Sequence, residues 1–304
     1  MNSIRRDFLQ NTTITALLSS LPVQPLPGQT PGSNDKRRRI ACNSWPFRGY
    51  FDTPQLHEYR DPKLPSLTQA EFPQFLADHF NIHNVEFLPQ HFVTTDPSEI
   101  AKVKDGLTKA KSRCCNLMGV DIPGGVYKKA DPQTFVKEAN RWVDVAVALG
   151  APSVTVALGG PGPVDPHAAA DNLRPFVDVA QAHGIKVLFH NDSLELESAE
   201  TLTAVIKLLG TDKTGTCPDF GNFATRSAAY ALSQLKMLAP YASNICHAKD
   251  GIADSGKFSA DDFPASMKVM RDAGFHGLYS LEFEGLGPAL AGVQKLLGMT
   301  EEAL

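Results

Sequence analysis

The sequence predicts a (β/α)8 barrel, on three observations. Short apolar runs alternate with amphipathic stretches from about residue 40 to the C-terminus, and this alternation indicates a parallel sheet covered by helices. The ends of the predicted strands recur about every 34 residues, and eight such units in roughly 265 residues match the usual size of this fold. No glycine fingerprint follows the first predicted strand, which disfavours a doubly wound open sheet.

The predicted strands are short runs in which β-branched and aliphatic residues are frequent, and such residues favour the extended conformation. They are Ile40–Trp45, Asn84–Phe87, Cys115–Val120, Ser153–Leu158, Lys186–His190, Thr214–Asp219, Asn244–His247 and Leu278–Glu282. Stretches with helical periodicity lie between and after them. They are Thr68–Phe80, Pro97–Lys111, Asp131–Leu149, His167–His183, Ser198–Leu209, Thr225–Leu238, Ala260–Ala273 and Gly287–Leu297. Gly150, Gly184 and Gly274 end three of these helices, because glycine accepts the left-handed cap.

The composition is that of an ordinary globular protein. The chain has 304 residues, of which 42% are apolar and 20% charged, and its formal net charge is −4. This charge, without a clustered basic surface, argues against nucleic acid as a partner. No apolar run approaches the roughly 20 residues that cross a bilayer. The five cysteines are too few for a disulfide scaffold. The oligomeric state stays open, and a homo-oligomer is compatible with the composition.

The N-terminus resembles an export signal. Arg5 and Arg6 precede Phe8 and Leu9, and a weakly apolar stretch and a Pro/Gly-rich tract follow. This order is typical of a twin-arginine signal and predicts a periplasmic or secreted protein. A disordered tail that contains an arginine pair by chance is the alternative. We therefore expect residues 1–35 to form a signal peptide and linker, and residues 36–304 to form a single barrel domain.

Metal-ligand residue types collect at the ends of the last four predicted strands. His190 ends the fifth strand, Asp219 the sixth, His247 the seventh and Glu282 the eighth. In a parallel barrel, successive strand ends converge on the catalytic face. Two imidazoles and two carboxylates suit Mn, Mg, Co or Zn, and a metal offsets the cost of burying charge there. The sequence therefore predicts one divalent metal ion, and four hydrogen-bonded core residues are the alternative.

Further residues near strand ends are candidates for contact with a substrate. Glu86 lies in the second predicted strand, and we expect it to face the same cavity as a substrate contact or a further ligand. Lys249 follows the seventh strand and is placed to stabilise a developing oxyanion. Trp45 and Phe47, near the first strand, are either a platform for a sugar ring or part of the core.

Five motifs carry a resemblance to a known family. They are Val85-Glu86-Phe87, Phe189-His190-Asn191, Asp219-Phe220-Gly221-Asn222, His247-Ala248-Lys249-Asp250 and Tyr279-Ser280-Leu281-Glu282. Together they resemble the xylose-isomerase-like TIM-barrel superfamily, specifically its sugar phosphate isomerase/epimerase group, over about residues 40 to 300. The resemblance implies a divalent metal held by Glu, Asp, His and Glu from strands five to eight, and Asp219, His247 and Glu282 match this set. It does not name a substrate.

The chain departs from the family pattern at three positions. His190 stands where Glu is usual, Asp192 where some members have a second His, and Asn222 where His is frequent. The apurinic-site endonuclease branch needs a His-rich cluster of several metals, so the missing His argues against DNA repair. His190 also leaves two roles open, because an imidazole is either a fourth metal ligand or a general base or acid near neutral pH.

The residues and the resemblance together predict a secreted, metal-dependent enzyme that isomerises or epimerises a sugar or keto-sugar. The reaction would remove a proton next to a carbonyl, with Glu282, His190, Glu86 and Lys249 as the residues that act on or contact the substrate. A lyase or hydratase that acts on an oxidised glycoside is one alternative. A non-catalytic carbohydrate-binding barrel is the other. Export argues against a phosphorylated substrate, because sugar phosphates are mainly cytoplasmic.

The arginine pair provides the test of export. Replacing Arg5 and Arg6 together by Lys should leave the precursor in the cytoplasm, because a twin-arginine signal depends on both guanidinium groups. The measurement is the distribution of the protein between cytoplasmic and periplasmic fractions. An unchanged periplasmic yield of mature protein would rule out the twin-arginine interpretation.

Overall fold

Parallel strands form the centre of the fold. The structure is a computed structural model and describes residues 33–120, 132–158, 164–191, 198–223, 227–250 and 262–304. Eight strands lie within these ranges. They are β1 (Ile40–Asn43), β2 (Asn84–Phe87), β3 (Arg113–Leu117), β4 (Ser153–Ala157), β5 (Lys186–His190), β6 (Thr214–Cys217), β7 (Ile245–Asp250) and β8 (Leu278–Phe283).

Helices alternate with the strands along the described chain. They are α1 (Ser33–Arg37), α2 (Phe72–Phe80), α3 (Pro97–Lys109), α4 (Pro132–Leu149), α5 (Pro166–Ala182), α6 (Ala199–Leu209), α7 (Ala228–Leu238), α8 (Asp262–Asp272) and α9 (Ala289–Ala303). No helix of the described ranges is long and apolar enough to span a membrane. Of the predicted signal and linker, residues 1–32 lie outside the described residues.

The strands form a nearly closed barrel. Their order is β6-β5-β4-β3-β2-β1-β8-β7, and every ladder between neighbours is parallel. β6 and β7 meet just beyond the end of β6, where Asp219 pairs with His247 in an isolated parallel bridge. The backbone N–H of His247 donates to the Pro218 carbonyl at 2.8 Å, and that of Phe220 donates to the His247 carbonyl at 3.2 Å. The predicted (β/α)8 TIM barrel is therefore confirmed.

Several strands and helices begin or end at residues other than those predicted, for local reasons. The first predicted strand ends at Asn43, because a 3-10 helix with Pro46 near its start begins at Trp45. The third ends at Leu117, before Gly119 takes a left-handed conformation with φ 70. The last helix begins after Pro288 and continues to Ala303, six residues beyond the prediction, since Thr300 is buried as part of its inner face.

The core lies between the strands and the surrounding helices. Cys246 and Ala248 of β7 belong to it, whereas the alternating residues His247 and Lys249 face the barrel interior with their polar neighbours. Phe47 is fully buried and contacts the rings of Tyr50, Phe72, Phe75 and Phe80, so it is part of the core. All five cysteines are buried and unpaired.

The packing of α3 against the segment before α2 gives a test of the fold. A methyl group on Gly106 would overlap the carbonyl oxygen of Ala70, so Gly106→Ala forces two backbones apart. We expect a loss of roughly 1–3 kcal/mol in the free energy of unfolding, measured by urea denaturation. Gly298→Ala in α9 is the matched control, because nothing lies within 4 Å of the added methyl. Helix propensity should make that variant more stable by up to about 1 kcal/mol, and equal effects at both sites would contradict the described packing.

Candidate metal centre

The four predicted metal ligands lie at the carboxyl ends of the last four strands. His190 is the last residue of β5, Asp219 lies two residues beyond β6, and His247 and Glu282 lie within β7 and β8. The four side chains are buried in the barrel interior, with exposures of 0–3%. The parallel register pairs Asp219 with His247, whereas Glu282 pairs with Lys249, two residues farther along β7.

Three donor atoms of this set converge. His190 Nε2 lies 2.9 Å from His247 Nδ1. Asp219 Oδ2 lies 3.6 Å from His190 Nε2 and 3.7 Å from His247 Nδ1. Donor atoms that bind one ion at about 2.0–2.2 Å lie at comparable separations from one another. His190, Asp219 and His247 can therefore hold a single metal ion between them.

The Asp219 carboxylate is fixed by its own loop. Its Oδ1 accepts hydrogen bonds from the backbone N–H groups of Gly221 at 2.7 Å and Asn222 at 2.9 Å. Its backbone is clamped to Asn191, whose side-chain oxygen accepts from Asp219 N at 2.7 Å and whose amide donates to Asp219 O at 3.1 Å. A methyl group on Gly221 would lie 2.8 Å from Lys249 Cδ, so a larger residue here would displace the lysine side chain. These contacts direct Oδ2 toward the two imidazoles.

Asp219 Oδ2 is buried and accepts no hydrogen bond. Its cationic or basic neighbours stay at 3.5 Å (Lys249 Nζ), 3.6 Å (His190 Nε2) and 3.7 Å (His247 Nδ1). A buried carboxylate oxygen without a partner is costly. A cation held by Oδ2 and the two imidazole nitrogens would remove that cost, so the donors present match a divalent metal ion of the predicted kind.

Glu282, the fourth predicted ligand, lies beside these three donors. Its Oε2 is 3.5 Å from His247 Nδ1 and accepts a hydrogen bond from Asn43 Nδ2 at 2.6 Å. Its Oε1 accepts from Lys249 Nζ at 3.0 Å. Both oxygens keep lone pairs beyond these bonds, so this position suits either a further ligand or a general base.

Lys249 is enclosed by acceptors of the protein. Its ammonium donates to Asn222 Oδ1 at 2.8 Å and Glu282 Oε1 at 3.0 Å, and it forms an ion pair with Glu284 Oε2 at 2.9 Å. These three oxygens match its three hydrogens. The geometry therefore favours a charge partner for the carboxylates over the predicted contact with a substrate oxyanion.

Glu86 lies on the other side of His247 from the converging donors. Its Oε1 is 3.1 Å from His247 Nε2 and accepts from Asn116 Nδ2 at 2.7 Å, and its Oε2 accepts from Ser280 Oγ at 2.5 Å. The side chain is fully buried. Glu86 therefore meets the ring nitrogen of His247 that is opposite the converging donors, and its predicted role as a substrate contact or further ligand stays a prediction.

The charges of the site influence one another. Burial raises the pKa of Asp219, but Lys249 and the two imidazoles more than offset this and hold it well below its usual value. Burial lowers the pKa of Lys249, yet Asp219, Glu282 and Glu284 raise it well above its usual value. The pKa of His247 is also raised despite burial, by its neighbours Cys217, Glu86 and Asp219. The site therefore stabilises positive charge, whether a proton or a metal ion.

The sequence did not identify several supporting residues. Asn43 and Asn191 end or follow strands and bind Glu282 and Asp219, but asparagine at a strand end is too common to predict such a role. Glu284 accepts a hydrogen bond from Trp45 Nε1, so Trp45 borders the site while its neighbour Phe47 does not. Of the motif residues, Asp192 lies outside the described residues.

Comparisons with known proteins agree with this fold. A probable 3-DHS dehydratase from Bacillus anthracis is 12% identical, with 86% of this chain and 97% of that chain covered and a TM-score of 0.62. A xylose isomerase-like TIM barrel protein from Mycobacterium smegmatis in complex with magnesium is 17% identical, covering 88% and 97%, with a TM-score of 0.61. The 3-keto-D-glucoside 4-epimerase from E. coli is 15% identical, covering 86% and 98%, with a TM-score of 0.59. At these identities the likeness shows the fold alone.

The family assignment rests on the sequence. No curated protein matches the chain. The family model described as xylose isomerase-like TIM barrel matches residues 73–303, which is most of the barrel and includes every candidate ligand. The chain therefore belongs to the xylose isomerase-like TIM barrel family.

Proposed function

We propose that the protein is a divalent-metal-dependent isomerase or epimerase that acts on a sugar or keto-sugar by removing a proton next to a carbonyl. The observation that carries the proposal is the buried Asp219 Oδ2, which accepts no hydrogen bond and faces His190 Nε2 and His247 Nδ1. These three atoms would hold one ion of Mn, Mg, Co or Zn. When bound, the ion would act as a Lewis acid on a carbonyl and its neighbouring hydroxyl.

Glu282 is the proposed general base. Its carboxylate is next to the three donors, and hydrogen bonds from Asn43 and Lys249 fix both oxygens. Fixed orientation favours proton transfer, because the base need not reorganise as the proton moves. Lys249 supports this role as a buried ammonium that offsets the charges of Asp219 and Glu282.

His190 is proposed as a metal ligand rather than the general base. Its Nε2 faces His247 Nδ1 and Asp219 Oδ2, so the nitrogen that would take a proton is the one directed at the ion. A ligand role leaves Glu282 without a second carboxylate from β5. This difference favours a second candidate reaction, in which one-sided proton removal is followed by loss of a β-substituent, as in a lyase or hydratase on a keto-glycoside.

The proposed substrate is an unphosphorylated sugar. The arginine pair near the N-terminus supports export to the periplasm or beyond, where sugar phosphates are scarce. The E. coli structure named above is that of an epimerase of a keto-glucoside and the Bacillus anthracis one that of a probable dehydratase, so the two candidate reaction types are both represented on this fold.

Metal content tests the proposed ligands. Purified protein should contain about one divalent ion per chain, and Asp219→Ala or His247→Ala should lose it, because each removes one of three converging donors. His190→Glu should keep the ion, since a carboxylate can replace the imidazole as ligand. The measurement is elemental analysis after gel filtration.

Asp178→Asn is the control for these variants, because Asp178 lies at the surface in an ion pair with Lys213. It should bind metal as the unchanged protein does. Full occupancy in both Asp219→Ala and His247→Ala would show that the proposed centre is wrong.

Solvent deuterium exchange tests the reaction. Incubation in D₂O with a panel of keto-sugars should place deuterium at the carbon next to the carbonyl of the true substrate. Glu282→Gln should slow this exchange by roughly 10²- to 10⁴-fold, the range for loss of a general base. Mass spectrometry follows both the label and the product.

The products separate the candidate functions. A change of configuration with label supports the isomerase or epimerase, and an unsaturated product supports the lyase. Binding of a sugar without exchange in the metal-loaded protein would mean a carbohydrate-binding barrel. Exchange that persists unchanged in Glu282→Gln would remove Glu282 as the base.

A further inference from the structure

A carboxylate is buried in the middle of the barrel, away from the converging donors. Glu86 of β2 has no exposed surface. Barrel interiors of this fold are usually filled by branched apolar side chains. An isolated ionised carboxylate in such a place costs several kcal/mol or more, so its partners must account for its presence.

Hydrogen-bond donors surround the Glu86 carboxylate. Asn116 Nδ2 and His247 Nε2 lie 2.7 Å and 3.1 Å from Oε1, and Ser280 Oγ lies 2.5 Å from Oε2. The carboxylate accepts from the amide and the hydroxyl, and His247 Nε2 lies within hydrogen-bond distance of Oε1.

Asn116 is itself held in one orientation. Its Nδ2 also donates to Thr155 Oγ1 at 2.6 Å, and its Oδ1 accepts from Ser153 Oγ at 2.7 Å. Asn244 Nδ2 donates in turn to Ser153 Oγ at 2.7 Å. This polar column through the barrel interior fixes which Asn116 atom faces Glu86, and so fixes Glu86 as an acceptor toward His247.

We infer that Glu86 is a positioning residue that acts through His247, by accepting the Nε2–H of the ring so that Nδ1 presents its lone pair beside His190 Nε2 and Asp219 Oδ2. With a metal bound, the His247 ring would be neutral and carry one proton, and the acceptor at one nitrogen decides where that proton stays. The inference rests on the proposed metal centre and deepens it. It predicts that His247 binds through Nδ1 and His190 through Nε2.

Cys217 is the competing neighbour of His247 Nε2. Its Sγ lies 3.4 Å from that nitrogen. A cysteine thiol is a weak hydrogen-bond acceptor. The Glu86 carboxylate is the stronger acceptor. A carboxylate behind a ligating histidine also makes the ring more basic, which strengthens its bond to a metal.

Metal affinity measures the effect of Glu86 without relying on turnover. Competition with a chelator gives the Kd for Zn²⁺ at fixed pH. Glu86→Ala should weaken binding by roughly 10- to 100-fold, as loss of such an outer partner typically does. Glu86→Gln keeps an acceptor oxygen for His247 but not the charge, so its loss of Zn²⁺ affinity should be smaller than that of Glu86→Ala. Thermal unfolding of the metal-free proteins reports their folding separately.

Thr216→Val is the matched control. Thr216 is a buried hydroxyl on β6 that donates to the Leu238 carbonyl at 3.0 Å, and it makes no described contact with Glu86 or His247. Loss of this hydrogen bond in Thr216→Val should lower the stability of the metal-free protein and leave the Kd for Zn²⁺ unchanged. If Glu86→Ala does not fold, the Kd of Glu86→Gln and the imidazole nitrogen NMR spectra test the role of Glu86 instead.

Imidazole nitrogen NMR of the Zn²⁺-loaded protein shows directly which ring nitrogen carries the proton and which binds the metal. His247 should show a protonated Nε2 and a metal-bound Nδ1. Binding through Nε2, or a Kd in folded Glu86 variants equal to that of the unchanged protein, would overturn the inference. Zn²⁺ binding that is equal in Asp219→Ala and in the unchanged protein would instead overturn the proposed metal centre. The two failures are therefore distinguishable.

Discussion

The bridge between Asp219 and His247 is the contact on which the rest of the structure depends. It joins β6 to β7 where these strands have otherwise separated, and so nearly completes the barrel. The same two residues carry two of the three converging donor atoms. Closure of the sheet and the candidate centre therefore share one contact, because the backbone pairing between these two residues also sets the separation of their side chains.

Buried charge is the second constraint, and it follows from the first. Glu86, Asp219 and Glu282 are buried carboxylates, whereas Lys249 is a single buried ammonium among them. Such an excess of negative charge requires donors or a cation. The neighbouring strands supply amides and hydroxyls, from Asn43 in β1, Asn116 in β3 and Ser280 in β8. A divalent ion would supply the remaining positive charge.

The two halves of the barrel consequently contribute different residues to the candidate centre. β5 to β8 and the residues just beyond them carry the groups proposed to hold the ion and to take the substrate proton, and β1 to β3 contribute Asn43, Glu86 and Asn116 to the groups that orient them. Asn43 of β1 holds Glu282 of the neighbouring β8, and the Asn116 amide of β3 holds Glu86 of the neighbouring β2. The proposed chemistry needs both halves, since a ligand or base is effective only when its orientation is fixed.

The sequence by itself determined the fold and the strand-end positions of His190, Asp219, His247 and Glu282. Hydrophobic periodicity and glycine caps are local signals that predict the elements, and parallel strands in a barrel end on one shared face. Tertiary structure alone decided which groups Glu86 and Lys249 contact. Glu86 and His247 are 161 residues apart in the chain, and they meet inside the barrel from β2 and β7, which are separated by β1 and β8. Alternation along a strand indicates that a side chain points inward, but only the packing across the barrel determines which ring nitrogen or which carboxylate it meets there.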